Sequence, residues 1–151
     1  MIRNAVYEDE EAIYRLCCLL ENTTLDEKNF KEIFDACFDK DIIYVTEEDG
    51  KVIGFLHMRI VPEFSRASYI AEISELIVEE EYRNRHYGRD LLEQAKKYCE
   101  DNSIPLIEVL SSFYRKDAHR FYENNGFEKT GYRFFNEEWI KDNENKEKTD
   151  H

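Results

Sequence analysis

The stretch that most constrains this chain is residues 69–102, which read as a strand, a tight turn and a helix. Ile70, Ala71, Ile73, Leu76, Ile77 and Val78 are interrupted only by Glu72, Ser74 and Glu75, a composition that suits a strand covered on both faces. Two carboxylates in such a strand need a chemical reason. After Glu79, Glu80 and Glu81 come Tyr82, Arg83, Asn84, Arg85, His86, Tyr87, Gly88 and Arg89, followed by Leu91, Leu92, Ala95, Tyr98 and Cys99 at helical spacing. A helix start presents unpaired N–H groups and a partial positive charge. With arginines and a glycine around it, this one suits an anion such as a pyrophosphate; the alternative is a merely solvated helix start.

Around this unit the chain reads as mixed α/β. Residues 2–6 predict a strand, and Asp9 is a candidate cap for a helix carrying Ala12, Ile13, Leu16, Cys17 and Leu20. Asp26 can cap a second helix, whose Phe30, Ile33, Phe34, Cys37 and Phe38 form an apolar stripe. Residues 42–46 and 52–61 read as strands joined at Asp49-Gly50, with Pro62 ending the second. The loop over residues 63–68, with Phe64 and Arg66, is either a pocket border or a surface turn. Pro105 introduces a strand over residues 106–110, continuing into Ser111 and Ser112, and a right-handed crossover places it parallel to the central strand. Asp117 caps a short helix that stops at Asn125-Gly126, and residues 127–135 read as a last strand or pair of strands.

A chain of 151 residues is expected to form one domain, here over residues 1–140. The charged tail, 141–151, is expected to be disordered. Net charge is −13; the tail holds three of the positive and four of the negative charges, so residues 1–140 keep −12. That field disfavours nucleic acid and anionic lipid and favours a cationic substrate, although acidity for solubility alone explains it equally well. Cys17, Cys18, Cys37 and Cys99 form no C-x-x-C pair and read as reduced core residues of a cytoplasmic protein. No membrane span and no apolar leader is expected. No pair among His57, His86, His119 and His151 has metal-ligand spacing, so no metal is inferred.

Strand, Arg83-x-x-His86-x-Gly88, then Leu91-Leu92 resembles motif A of the GCN5-related N-acetyltransferases (GNAT), Q/R-x-x-G-x-G/A, whose loop binds the pyrophosphate of acetyl-CoA. His86 stands where that motif has its first glycine, and histidine is among the few other residue types enriched at positive φ. Asp117-Ala118-His119-Arg120-Phe121-Tyr122 with Gly126-Phe127 resembles the family's later signature, N-x-x-A-x-x-F/Y-Y…G-F. Arg115 replaces its usual Asn. More narrowly, residues 72–78, 117–122 and Tyr132-Arg133-Phe134 look like the aminoalkylphosphonate N-acetyltransferases.

The resemblance implies an acyl-CoA N-acyltransferase fold with a mostly antiparallel sheet split between its fourth and fifth strands. It also implies acetyl transfer from acetyl-CoA to a primary amine of a small molecule. Leu76, Ile77 and Val78 would bond pantetheine through their main chain, and Arg83, Asn84, Arg85, His86, Tyr87, Gly88 and Arg89 would hold the pyrophosphate, with Arg115 and Tyr122 also at the cofactor. Glu72 is the candidate general base and Tyr122 the candidate general acid. Strand alternation puts Glu75, the second candidate base, on the opposite face from Glu72; alternatively Glu72 is a buried glutamate paired with an arginine. Arg59, Arg66, Arg115 and Arg133 are candidate cations for an anionic substrate group. Polyamine, aminoglycoside or protein-amine acetylation and a non-catalytic acyl-CoA-binding module are the competing readings, and a homodimer is compatible with all of them.

Overall fold

The computed structural model describes residues 1–111 and 115–137. The expected 141–151 tail and Ser112 lie outside them. Contacts divide the chain into two units, Met1–Leu110 and Ser111–His151.

The first unit is a five-stranded sheet in the order β1 (Ile2–Asn4), β2 (Ile42–Glu48), β3 (Lys51–Glu63), β4 (Ser68–Val78), β5 (Ile107–Val109). All neighbours are antiparallel except β4 and β5, which run parallel. Between β2 and β3, Asp49 (φ 51°) and Gly50 (φ 77°) take the two positive-φ positions of a tight hairpin, as Asp-Gly predicts. Pro62 does not end β3. It pairs opposite Tyr69, and the strand reaches Glu63. Pairing with β2 stops at Met58, so this end of β3 has one neighbour and a missing donor is tolerated on the other side.

Two helices cover one face: α1 (Glu10–Glu21) and α2 (Glu27–Phe38). Ile13, Leu16 and Phe34 pack there with Ile43, Val45, Phe55 and Ile77. Asp26 caps α2 as expected, accepting from the Asn29 N–H at 2.8 Å. Asp9 does not cap α1. Its carboxylate is held by Arg3 Nη1 and Nη2 at 2.7 and 2.9 Å and by the Val6 N–H at 2.8 Å, so the charge pair takes the acceptor that the helix end would have used. Ile33 is 64% exposed, because it sits at the margin of the α2 stripe centred on Phe30 and Phe34. The other sheet face carries α3 (Tyr87–Asp101), with Leu91, Leu92, Ala95 and Cys99 buried.

In the second unit, α4 (Lys116–Asn124) starts one residue before the expected cap. Asp117 lies in its first turn, paired with Arg120. The helix ends as Asn125-Gly126 predicts: Gly126 has φ 90°, and the Phe127 N–H donates to the Tyr122 carbonyl at 3.0 Å. Described residues 127–137 form no strand. The aromatic alternation there is a strand pattern, but a strand exists only through a paired neighbour, and no ladder reaches these residues.

Candidate active site

β4 positions the site through two irregularities. Its pairing with β5 covers only Ala71, Ile73 and Glu72 between them, against Ile107–Val109. Beyond Ile73, the edge of β4 that includes Leu76 and Ile77 is not laddered to β5, which is the opening expected between the fourth and fifth strands. The second irregularity is a bulge: Met58 pairs with Ile73 and His57 with Glu75, leaving Ser74 as the extra residue.

The bulge corrects the expectation for Glu75. Arg59 pairs with Glu72 and His57 with Glu75, and His57 and Arg59 are two residues apart on β3. All four side chains therefore share one face. Simple alternation fails because one extra residue resets the period.

On this face Arg59 Nη2 donates to Glu72 Oε1 at 2.8 Å, and Arg59 Nε to Ser74 Oγ at 3.1 Å. Glu72 is half-buried, its side chain 23% exposed. The pairing of Glu72 with an arginine, one of the two arrangements open from sequence, is thus present, and it fixes where the carboxylate sits. Next to it, His57 Nδ1 donates to Glu75 Oε2 at 2.7 Å and Nε2 to Asp41 Oδ2 at 2.8 Å. Burial works against a charged ring here, but the two carboxylates outweigh it and hold the imidazole above its usual range. The Cys37 thiol is raised by burial and by its bond to Asp41. Sequence reading missed this cluster; its members come from α2, the α2–β2 turn, β3 and β4, and only the Ser74 bulge brings Glu75 into line.

The turn before α3 follows the local sequence. Asn84 and His86 have φ of 64° and 70°, so His86 takes the left-handed conformation that glycine would take at no steric cost. No side chain caps α3, which leaves first-turn N–H groups without an intrahelical acceptor. Arg83 Nε donates to the Val78 carbonyl at 3.0 Å, tying the turn to the end of β4. Arg85 lies over the Tyr82 ring, and the Tyr87 hydroxyl donates to Glu48. Arg89 lies 3.7 Å from Asp90. Gly88 sits in the first turn and is not among the positive-φ residues, so backbone freedom does not account for a glycine there.

Of the remaining candidates, Arg66 pairs with Glu63 at 3.5 Å beside the fully exposed Phe64. In the second unit, burial raises the Tyr122 phenol while the Arg115 cation opposes it. Tyr122 packs edge-on to Phe121 and Phe127, and Arg133 lies over Phe135. Among the described residues no helix is long and apolar enough to cross a membrane.

Comparison with known proteins agrees with this geometry. The family model described as Acetyltransferase (GNAT) family matches residues 4–127. An aminoalkylphosphonate N-acetyltransferase of Salmonella typhimurium is 31% identical over 135 residues, covering 88% of each chain. A putative acetyltransferase from Agrobacterium tumefaciens superimposes with a TM-score of 0.79 at 26% identity, over 90% of this chain and 99% of that one. The aminoglycoside acetyltransferase AAC(6′)-Iy, solved with a CoA-containing bisubstrate analogue, shares the fold at 16% identity with a TM-score of 0.80, over 90% and 95% of the two chains. The chain belongs to the GNAT family of acetyltransferases and is an acetyl-CoA-dependent enzyme.

Proposed function

We propose that this enzyme acetylates the primary amine of a small molecule that also carries an anionic group, of the aminoalkylphosphonate class. The observation that carries the reading is the Arg59–Glu72 pair, whose side chains are 47% and 23% exposed, joined to the similarity to a Salmonella enzyme of that name. A zwitterion can replace such a pair: its phosphonate oxygens take the guanidinium in two-point fashion, and its ammonium takes the carboxylate.

Acetyl-CoA supplies the activated acetyl thioester. The uncapped α3 start, with Asn84 and His86 turned to positive φ, fits a pyrophosphate. Arg83, Asn84, Arg85, His86, Tyr87, Gly88 and Arg89 are assigned to it; Arg115 and Tyr122 are assigned to the cofactor without a part in the pyrophosphate turn. The free edge of β4 at Leu76 and Ile77, with Val78, is assigned to pantetheine. Glu72 takes the amine proton on a carboxylate oxygen as the amine nitrogen bonds the acetyl carbon and the C–S bond breaks, and Tyr122 gives its Oη proton to the departing thiolate. A phenol's ordinary pKa of about 10 already keeps it protonated at neutral pH, as a proton donor must be, and burial pushes this one further up. Residues 1–140 act as a single N-acetyltransferase domain.

The net charge of −13 favours polyamines or aminoglycosides instead, because an acidic body concentrates cations. A paired arginine at the site outweighs that distant field, which is screened over about 8 Å at physiological salt. Comparing kcat/KM for aminomethylphosphonate, its uncharged ester and spermidine tests the reading. Aminomethylphosphonate should be best; a better rate with spermidine or the ester would sink the anion-recognition assignment.

A further inference from the structure

Beside the Arg59–Glu72 pair, the sheet face carries a second group that the acetyl-transfer reading does not use. Cys37, Asp41 and His57 each offer one ligand atom, all within 4.8 Å of one another. Cys37 is in the last turn of α2, and the Asp41 N–H donates to the Cys37 carbonyl at 2.9 Å, so the backbone fixes these two side chains relative to each other. His57 comes from β3 and is 14% exposed. Its Nδ1 is already engaged by Glu75 Oε2 at 2.7 Å, which leaves Nε2 to face Asp41 and Cys37.

From this geometry we infer a divalent transition-metal site of the zinc class, with Cys37 Sγ, Asp41 Oδ and His57 Nε2 as ligands and Glu75 as the carboxylate that orients the histidine. The donor set is right for zinc: thiolate, imidazole and carboxylate, bound at about 2.3, 2.0–2.1 and 2.0–2.2 Å. Ligand atoms around a tetrahedral ion of that size stand roughly 3.3–3.8 Å apart, so the group needs to adjust by only about 1 Å. A hard cation such as Mg²⁺ would want oxygens instead. The carboxylate–histidine–metal arrangement is the usual way of fixing the ligating nitrogen. Binding releases the Cys37 thiol proton and the Nε2 proton to solvent, while Nδ1 keeps its proton and donates it to Glu75 Oε2. Three protein ligands leave one position for water or a substrate oxygen. Absence of histidine-pair spacing in the sequence gave no hint of this, because the ligands come from a helix end, a turn and a strand.

Cobalt is the probe of choice, since Co²⁺ bound to thiolate shows a charge-transfer absorption and tetrahedral visible bands. Full-length protein stripped with EDTA should take up one equivalent of Co²⁺ with that absorption and lose it when Zn²⁺ is added. Cys37→Ser should abolish the absorption, and Cys17→Ser should retain it. Glu75→Gln, which leaves every ligand in place, should weaken Zn²⁺ binding roughly 10- to 100-fold. Zn²⁺ should also raise the melting temperature of the wild type in a concentration-dependent way, and of Cys37→Ser not at all. Absence of stoichiometric Co²⁺ uptake by the wild type would overturn the assignment. So would a charge-transfer band that survives in Cys37→Ser, or unchanged Zn²⁺ affinity in Glu75→Gln with a native circular dichroism spectrum.

Discussion

The turn before α3 and the polar face of β3 and β4 differ in how they are assembled. The turn is one run of residues, Arg83 to Arg89, whose conformation follows from local preferences. The face is drawn from α2, the α2–β2 turn, β3 and β4, and depends on a single extra residue, Ser74, in one strand. Contiguous chemistry can be read directly from a sequence; chemistry gathered across a sheet requires the register, and one bulge inverts it.

If the polar face holds the catalytic base, the largest effect belongs to Glu72→Gln. A lost proton acceptor should lower kcat about 10²–10⁴-fold, with acetyl-CoA affinity unchanged. Tyr122→Phe should lower kcat with equally little change in that affinity. Rates within a factor of two of wild type in both would leave Glu72 a structural partner of Arg59 and Tyr122 a packing residue.

The α1–α2 layer over that face can be tested through packing. Phe34→Ala should cost about 3–5 kcal/mol in urea unfolding, since Phe34 is buried in the core, whereas Ile33→Ala should cost well under 1 kcal/mol. Equal costs would contradict the placement of α2. The contact between β1 and the start of α1 is electrostatic. Burial opposes the ionised form of Asp9, but the bonds from Arg3 and Val6 prevail and its carboxyl lies below the usual range. A depressed folded pKa contributes stability above the unfolded value of about 3.9, and that contribution is lost as pH falls through the folded value. Asp9→Asn should therefore cost about 2 kcal/mol at pH 7, with the gap from wild type closing under strongly acidic conditions. A cost independent of pH would remove the charge from the explanation.

The smallest effect belongs to the turn itself. His86 occupies φ 70°, so His86→Gly should raise stability by up to about 1 kcal/mol. A destabilised variant would mean that the imidazole has a local partner that outweighs the strain.

Sequence periodicity located every strand of the sheet, both covering helices and α3, because each has a clear stripe or a turn signal such as Asp49-Gly50. It misplaced features decided by tertiary competition. Asp9 is recruited by Arg3 instead of capping α1, Pro62 is tolerated where β3 has a single neighbour, and residues 127–135 have the pattern of a strand without a ladder. At the site, the Arg83 to Arg89 turn was legible, and the pairing of Glu72 with an arginine was one of two arrangements the sequence left open. The shared face of Glu72 and Glu75 was not legible, because no pattern in β4 alone announces the Ser74 bulge, and the Cys37–Asp41–His57 group was not, because its members come from a helix end, a turn and a strand.

The most direct measurement is calorimetric titration of acetyl-CoA into the wild type and Gly88→Glu. Gly88 lies in the first turn of α3 without a positive φ, and a carboxylate near a helix N-terminus is favourable to the fold. The variant should keep its circular dichroism spectrum and melting temperature while losing acetyl-CoA binding, because the new charge and bulk occupy the place assigned to the pyrophosphate. Unchanged affinity in a folded Gly88→Glu protein would contradict the assignment of this turn to the cofactor.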